Sequence, residues 1–349
     1  MIEKSRFINQ LLHELSAYNK QVHFKEEVLS IPPVPYSFHS DISIPKDEAV
    51  MAALMKQADK VLSPTHLSTY INCSLQFYFQ VIAGLTEVEE IEETIEASTL
   101  GTVIHDVLRK IYGQFIKAPV NSNELRKNVK DLENLVAKSF TEKYQEGDIY
   151  HGKNYLIFKV AEFLTGNMVN HEIEELEQGS QVFILNLEEF FDATLNIGKE
   201  NDLTVRIKGK IDRVDRGDGA IRIIDYKSGF VGTSDLNVKE MQDLISDTKK
   251  AKALQLLVYS LLYHENNKSA GLPVSPGIYA LRNPSRGLMP LRVEDQTSLT
   301  EDHFGQVREL LVELLRQIYN PEIPFTQTTI AENCTYCAFR MICNRNGGK

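Results

Sequence analysis

The stretch GKIDRVDRGDGAIRIIDYKSG, residues 209–229, sets Asp212, Asp225 and Lys227 inside two short apolar runs joined by Arg-Gly-Asp-Gly. Asp-Gly is a favoured two-residue hairpin turn. With Asp218-Gly219 as that turn, Gly217 pairs with Ala220, and the same register sets Asp212 opposite Asp225. Directly opposed residues carry Cβ atoms about 5 Å apart. Lys227 is two residues from Asp225 and so projects from the same face. Two carboxylates at that spacing repel unless a cation sits between them, and oxygen ligands of this kind suit Mg²⁺ or Mn²⁺. A lysine beside the metal can orient a water or help deprotonate it. The plain alternative is a solvated hairpin face with a weak Asp225–Lys227 pair, because D-x-K alone is common by chance.

Four further groups have chemical potential. His105 lies on an apolar helical pattern, where a histidine is more often a packed core residue than a ligand. Gln255 and Tyr259 are four apart, one above the other on a helix face, although the surrounding LLVYSLLY also serves packing. Lys249, Lys250 and Lys252 precede that helix and can touch phosphates; a lysine cluster is more commonly solvated surface. The four cysteines are Cys73, alone, and Cys334, Cys337 and Cys343 in the pattern C-x2-C-x5-C. Four thiolates hold tetrahedral Zn²⁺ or a 4Fe–4S cluster, and spacing does not decide between them.

The elements that must position these residues follow from the pattern of the chain. Its 349 residues suffice for a sizeable core, and 42% hydrophobic with 25% charged residues is ordinary for a soluble protein. No apolar run approaches membrane-spanning length, and the N-terminus, amphipathic and carrying acids, is unlike a signal peptide, so a cytoplasmic protein is expected. The net charge of −10 argues against non-specific polyanion binding, but it leaves room for basic residues along one groove. Residues 1–60 read as an N-terminal helical and extended connector, with IPPVPYSFHSDISIPK as its extended part. Ser63-Pro64 starts a helix and Thr99 is placed to cap another. Residues 121–178 form a helical insert by periodicity. Alternating, strand-like runs begin near residue 181 and continue through the hairpin. The order of helices and strands predicts an α/β core.

Taken in order, Gly101-Thr-Val-Ile-His105, G-K-I-D-R, I-I-D-Y-K-S and Gln255-Leu-Leu-Val-Tyr259 resemble the four motifs of the PD-(D/E)xK nucleases, in particular the RecB/AddB-type branch. Ile211 stands where the family name implies proline; the G-x-x-D-R form is usual in that branch. The resemblance implies a restriction-endonuclease-like mixed central sheet flanked by helices over residues 61–349. It implies that Asp212, Asp225 and His105 ligate Mg²⁺ or Mn²⁺, with the Tyr226 carbonyl completing the shell. Lys227 would activate water or steady the phosphate charge, with Gln255 and Tyr259 beside it. The cysteines, preceded by S-P-x-x-L-x-x-Y at Ser63–Tyr70, resemble those of AddB-type domains, which use one early and three late cysteines for a 4Fe–4S cluster; here the tail 330–349 carries the late three. The implied function is hydrolysis of DNA, single-stranded and from an end, in double-strand-break repair. The implied partner is a helicase subunit or a helicase-like N-terminal region of the same protein, since this chain has no Walker A motif and resembles the C-terminal part of a longer helicase–nuclease. The competing readings are a non-catalytic DNA-binding or assembly module with a degenerate nuclease fold, and a stand-alone nuclease of the CRISPR-adaptation type.

Overall fold

Asp218 and Gly219 both have positive φ, 52° and 76°, the conformation a two-residue type I′ hairpin turn requires. The turn joins β3 (Thr204–Gly217) to β4 (Ala220–Lys227), and the ladder runs from Gly217↔Ala220 to Arg213↔Ile224 in the expected register. These two strands are the centre of a six-stranded mixed sheet, seen in a computed structural model that describes residues 5–25, 41–58, 60–86, 94–144, 148–198, 203–267 and 271–345.

The short strand β1 (Val61–Leu62) lies parallel to the start of β3, while β2 (Val182–Asn196) runs antiparallel along its other edge. On the far side of β4, β5 (Val274–Ala280) is parallel, and β6 (Leu288–Pro290) returns antiparallel at the sheet edge. A parallel neighbour requires a crossover, which here includes a buried helix. Every residue of β4 except Lys227 is buried. A strand covered on both faces reads as a continuous apolar run, which is why AIRII precedes the charged residues.

Among the described residues, eight helices of nine or more residues frame the sheet: α1 (Glu48–Ala58), α2 (Pro64–Asn72), α3 (Ala97–Tyr112), α4 (Ser122–Lys130), α5 (Leu132–Lys143), α6 (Gly152–Glu177), α7 (Ala251–Asn266) and α8 (Glu301–Tyr319). One core joins the sheet to α1, α2, α7 and α8; a second joins its opposite face to α3, α4, α5 and α6. Ser63 caps α2 with its side chain and Pro64 occupies the first turn, as the sequence indicates. The cap of α3 differs from the Thr99 reading: the helix starts at Ala97, with Glu96 at the N-cap, so Thr99 lies inside the first turn. The helical insert comprises α4, α5 and α6.

The chain divides into two compact units, residues 1–40 and 41–349. In the first, the described segments Arg6–Gln10, Leu11–Leu15 and Ser16–Tyr18 are helical. The boundary lies earlier than the connector reading placed it. Residues 41–60 belong to the larger unit because Ser43–Ile44 pairs with Phe325–Thr326, and Leu54 of α1 is fully buried. Most of the extended part of that connector, and most of the acidic run after Leu85, lie outside the described residues. Among the described residues no helix is long and apolar enough to cross a membrane.

Candidate metal and catalytic site

Asp212 and Asp225 are 6% and 2% exposed, which rules out the solvated-face reading of the hairpin. The ladder between β3 and β4 stops one step before them. At that step the backbone N–H of Tyr226 donates to Asp212 Oδ2 at 2.9 Å, so a side chain takes the place of a strand partner. The strands part there, beside a cleft of about 460 Å³ whose lining includes His105, Glu188, Lys210, Tyr226 and Lys227.

The cleft is closed on one side by α3. Its residues Gly101, His105 and Arg109 recur at a spacing of four and so share one face. A side chain at Gly101 would begin at ordinary contact distance, 3.6 Å, from Ser228 Oγ, so the absence of a side chain leaves room beside the loop after Lys227. His105 points inward. Its Nε2 is 3.1 Å from the Tyr226 carbonyl oxygen, which can only accept, and its Nδ1 is 3.4 Å from both Asp212 Oδ1 and Glu188 Oε1. Burial acts against the charged imidazole, but hydrogen bonds to Asp212 and Glu188 outweigh it and raise His105 to about 10.

Glu188 is the residue that sequence reasoning missed. It lies on β2 between Leu187, opposite Arg213, and Glu189, opposite Ile211, which brings it level with Asp212. Its φ of +49° interrupts the strand and turns the carboxylate toward the cleft. An acid in the pair Glu188-Glu189 gives no signal by itself; only the β2–β3 register distinguishes the two. Lys210 Nζ lies 2.5 Å from Glu188 Oε2. Burial raises the Glu188 carboxyl, and the hydrogen bonds from His105 and Lys210 more than reverse that, for a net lowering.

Asp225 faces Lys227 and, beyond it, α7. Lys227 Nζ is 2.9 Å from Asp225 Oδ2 and donates to Asp225 Oδ1 at 3.2 Å and to Gln255 Oε1 at 3.0 Å. Gln255 Nε2 donates in turn to Tyr259 Oη at 2.8 Å. The helix-face pair thus reaches the site as a relay that holds the lysine. Gly209 accounts for the close approach of α7: a Cβ there would lie 2.6 Å from the Tyr259 ring. Burial, and then the charge of Asp212, push Asp225 up to about 6. Asp225 Oδ2 is buried and makes no hydrogen bond of acceptable geometry.

These residues fit a divalent cation. One ligand atom each of His105, Glu188 and Asp212 lie within 4.8 Å of one another, and Asp225 Oδ2, ion-paired with Lys227 but outside any hydrogen bond of acceptable geometry, is a further buried acceptor. The Tyr226 carbonyl, which the resemblance assigned to the metal shell, here contacts the histidine ring. A carbonyl on the second ring nitrogen is the usual means of fixing a metal-binding imidazole. Of the three lysines, Lys250 just before α7 donates to the Ser234 and Asn237 carbonyls, and Lys252 in the first turn of α7 donates to Asp235, so both are committed to the segment 234–237.

The four cysteines line one small pocket, with Phe79 and Phe339. Cys73 sits at the break between α2 and the helical turn Ser74–Phe77, with φ −164° and ψ 110°. Asn333 Nδ2 donates to the Asn72 carbonyl, and Thr326 N–H to Ser74 Oγ, so the tail is already fastened to α2 and that turn. Among the described residues no three sulfur atoms fall within 4.8 Å of one another.

A mixed sheet with helices on both faces, bearing acids and a lysine where its central strands part, is a restriction-endonuclease-like architecture. A model of the PD-(D/E)XK nuclease superfamily matches residues 61–344, and the chain belongs to that superfamily. Its members are typically nucleases that use divalent metals. No curated protein matches the sequence.

Proposed function

We propose that this protein is a metal-dependent deoxyribonuclease that cuts single-stranded DNA from an end. In this reading it is the nuclease part of a helicase–nuclease that processes double-strand breaks. The observation that carries the nuclease reading is the cluster of His105, Glu188 and Asp212 beside one cleft, with the buried Asp225 ion-paired to Lys227, which Gln255 holds.

A divalent cation held by His105, Glu188, Asp212 and Asp225 would supply Lewis-acid stabilisation of the phosphoryl oxygens and lower the pKa of water. The protein's own groups do the rest. Lys227 places a positive charge where negative charge develops as water attacks phosphorus and the leaving oxygen departs. Gln255 limits the positions its ammonium can take. His105 is oriented by the Tyr226 carbonyl. Arg109 and Lys210 line the cleft and are placed to meet flanking phosphates.

The cysteines are proposed to hold a 4Fe–4S cluster as a staple between the two ends of the domain. The pocket that all four cysteines line supports a shared metal group, and the resemblance of the one-early, three-late pattern favours the cluster over Zn²⁺. Iron and sulfide analysis with the ultraviolet–visible spectrum of anaerobically prepared protein tests it: about four irons per chain is expected, and stoichiometric zinc without iron contradicts it. Substrate class is tested by comparing 5′- and 3′-labelled single strands, duplex and RNA under Mg²⁺ or Mn²⁺. Progressive shortening of single-stranded DNA from one end is expected. Preferential cleavage of RNA, or of internal sites in closed circles, contradicts the proposal.

A further inference from the structure

We infer that a second cleft, between the loop after β4 and the edge strand β6, is a binding groove for the backbone phosphates of a nucleic-acid strand, gripped by Arg286 and Arg292. The inference rests on the nuclease reading and extends it beyond the scissile bond.

The cleft has a volume of about 640 Å³. Its floor is Leu236 and Met289, both buried, and its walls carry Thr233, Ser234 and Asn237 besides the two arginines. The arginines are exposed, and among the described residues their side chains make no hydrogen bond or ion pair. Other arginines of this chain are differently placed. Arg109, Arg126, Arg206, Arg213, Arg222 and Arg308 each hold a carboxylate. In a protein with a net charge of −10, two neighbouring guanidinium groups with no acid between them form a local positive patch. Guanidinium is also the side chain best matched to a phosphate, through two parallel hydrogen bonds.

The wall opposite the arginines is fixed. Lys250 Nζ donates to the carbonyls of Ser234 and Asn237 at 2.7 and 2.6 Å, and Asp235 is turned to Lys252 at 2.9 Å. The acceptors and the acid of this segment are thereby occupied, and two hydroxyls and an amide remain at the groove.

Sheet register places the groove beside the catalytic residues. Asp225 pairs with Ile278, and Ile278 with Met289, so the three occupy one row across β4, β5 and β6. Residues in one row project from the same face. Two strand spacings set Met289 about 10 Å from Asp225. Arg286 lies in the turn after β5, whose Ala280 pairs with Lys227, so this end of the groove is at the same end of the sheet as the metal site, while Arg292, just beyond Pro290 opposite Gly277, lies further along β5. A strand with one phosphate at Asp225 therefore reaches the groove with its next few phosphates.

The test uses the full chain with Ca²⁺ in place of Mg²⁺ to suppress cleavage, and fluorescein-labelled oligothymidylates of graded length. Arg286→Glu/Arg292→Glu is expected to weaken binding of the longer oligonucleotides at least tenfold. Losing two phosphate contacts should also lower the slope of log affinity against log salt by about 1.4. Arg126→Glu/Lys127→Glu, the same charge change on the helical insert, should leave both unchanged, and Arg286→Lys/Arg292→Lys should restore most of the binding. Wild-type protein that binds and cuts DNA, with a double-glutamate variant equal to it in affinity and salt slope, overturns the groove and leaves the nuclease reading standing. Wild-type protein that neither binds nor cuts any DNA overturns both.

Discussion

At the scale of single residues, the site is a set of charges that neutralise one another incompletely. His105 stands between two carboxylates, Lys210 answers Glu188, and Lys227 answers Asp225, yet Asp225 Oδ2 stays without a hydrogen bond. Replacing Glu188 by Gln keeps the shape and removes one negative ligand. We expect the Mn²⁺ concentration for half-maximal activity to rise about 10- to 100-fold, by analogy with changes around metal sites; metal titration of the activity, with calorimetry of Mn²⁺ binding, measures it. An unchanged metal requirement would place Glu188 outside the shell. Gln255→Leu removes the acceptor that fixes Lys227. The expected result is a lower kcat at nearly constant KM, since the substrate is not held by Gln255. Asp212, Asp225 and Lys227 were legible because one turn, Asp218-Gly219, fixes their register. Glu188 was not, because its place depends on a long-range strand pairing and on a left-handed backbone that no local pattern announces.

At the scale of elements, α3 and α7 approach the sheet through specific contacts. Gly209 lets the Tyr259 ring lie against β3, and a valine there would drive α7 away at an overpacking cost of about 1–3 kcal/mol, readable as a shift in the urea midpoint. The opposite face is anchored by a buried ionic network. Arg213 donates to Glu172 of α6 and Asp215 of β3, Arg222 of β4 also donates to Asp215, and Tyr112 of α3 donates to Glu172. Glu172→Leu would strand a fully buried guanidinium, with a loss of about 3–5 kcal/mol. The network was invisible in the sequence: Arg213 and Asp215 look like the polar side of an alternating strand until α6 is known to cover them. Asp106 of α3 gives a pH signature. Burial raises its carboxyl, but Lys110, Arg109 and Ser139 outweigh this and hold it at about 2, below its ordinary value of 3.8. A carboxyl lowered in the folded state stabilises fully above its ordinary pKa and loses that contribution as pH falls through the folded value. Asp106→Asn should therefore be less stable than wild type at pH 7, with the difference shrinking between about pH 4 and pH 2 in thermal melts.

At the scale of the molecule, the two ends of the larger unit meet. Ser43–Ile44 pairs with Phe325–Thr326, and Cys73 shares a pocket with Cys334, Cys337 and Cys343. The early-plus-late cysteine pattern signalled this closure in the sequence. The start of the unit at Asp41 was not legible, because a two-stranded contact between distant segments has no periodicity of its own. The acidic total of −10 likewise concealed the clustering of basic residues along the catalytic cleft and the Arg286–Arg292 groove. The whole account turns on Asp225 and Lys227 as reacting-centre residues. The measurement is cleavage of end-labelled single-stranded DNA with Mg²⁺, for wild type beside Asp225→Ala and Lys227→Ala. The account predicts cleavage by wild type that EDTA abolishes, and a loss of at least about 10²–10³-fold in each variant whose melting temperature is retained. Cleavage by folded variants at the wild-type rate, or by wild type in EDTA, would contradict it.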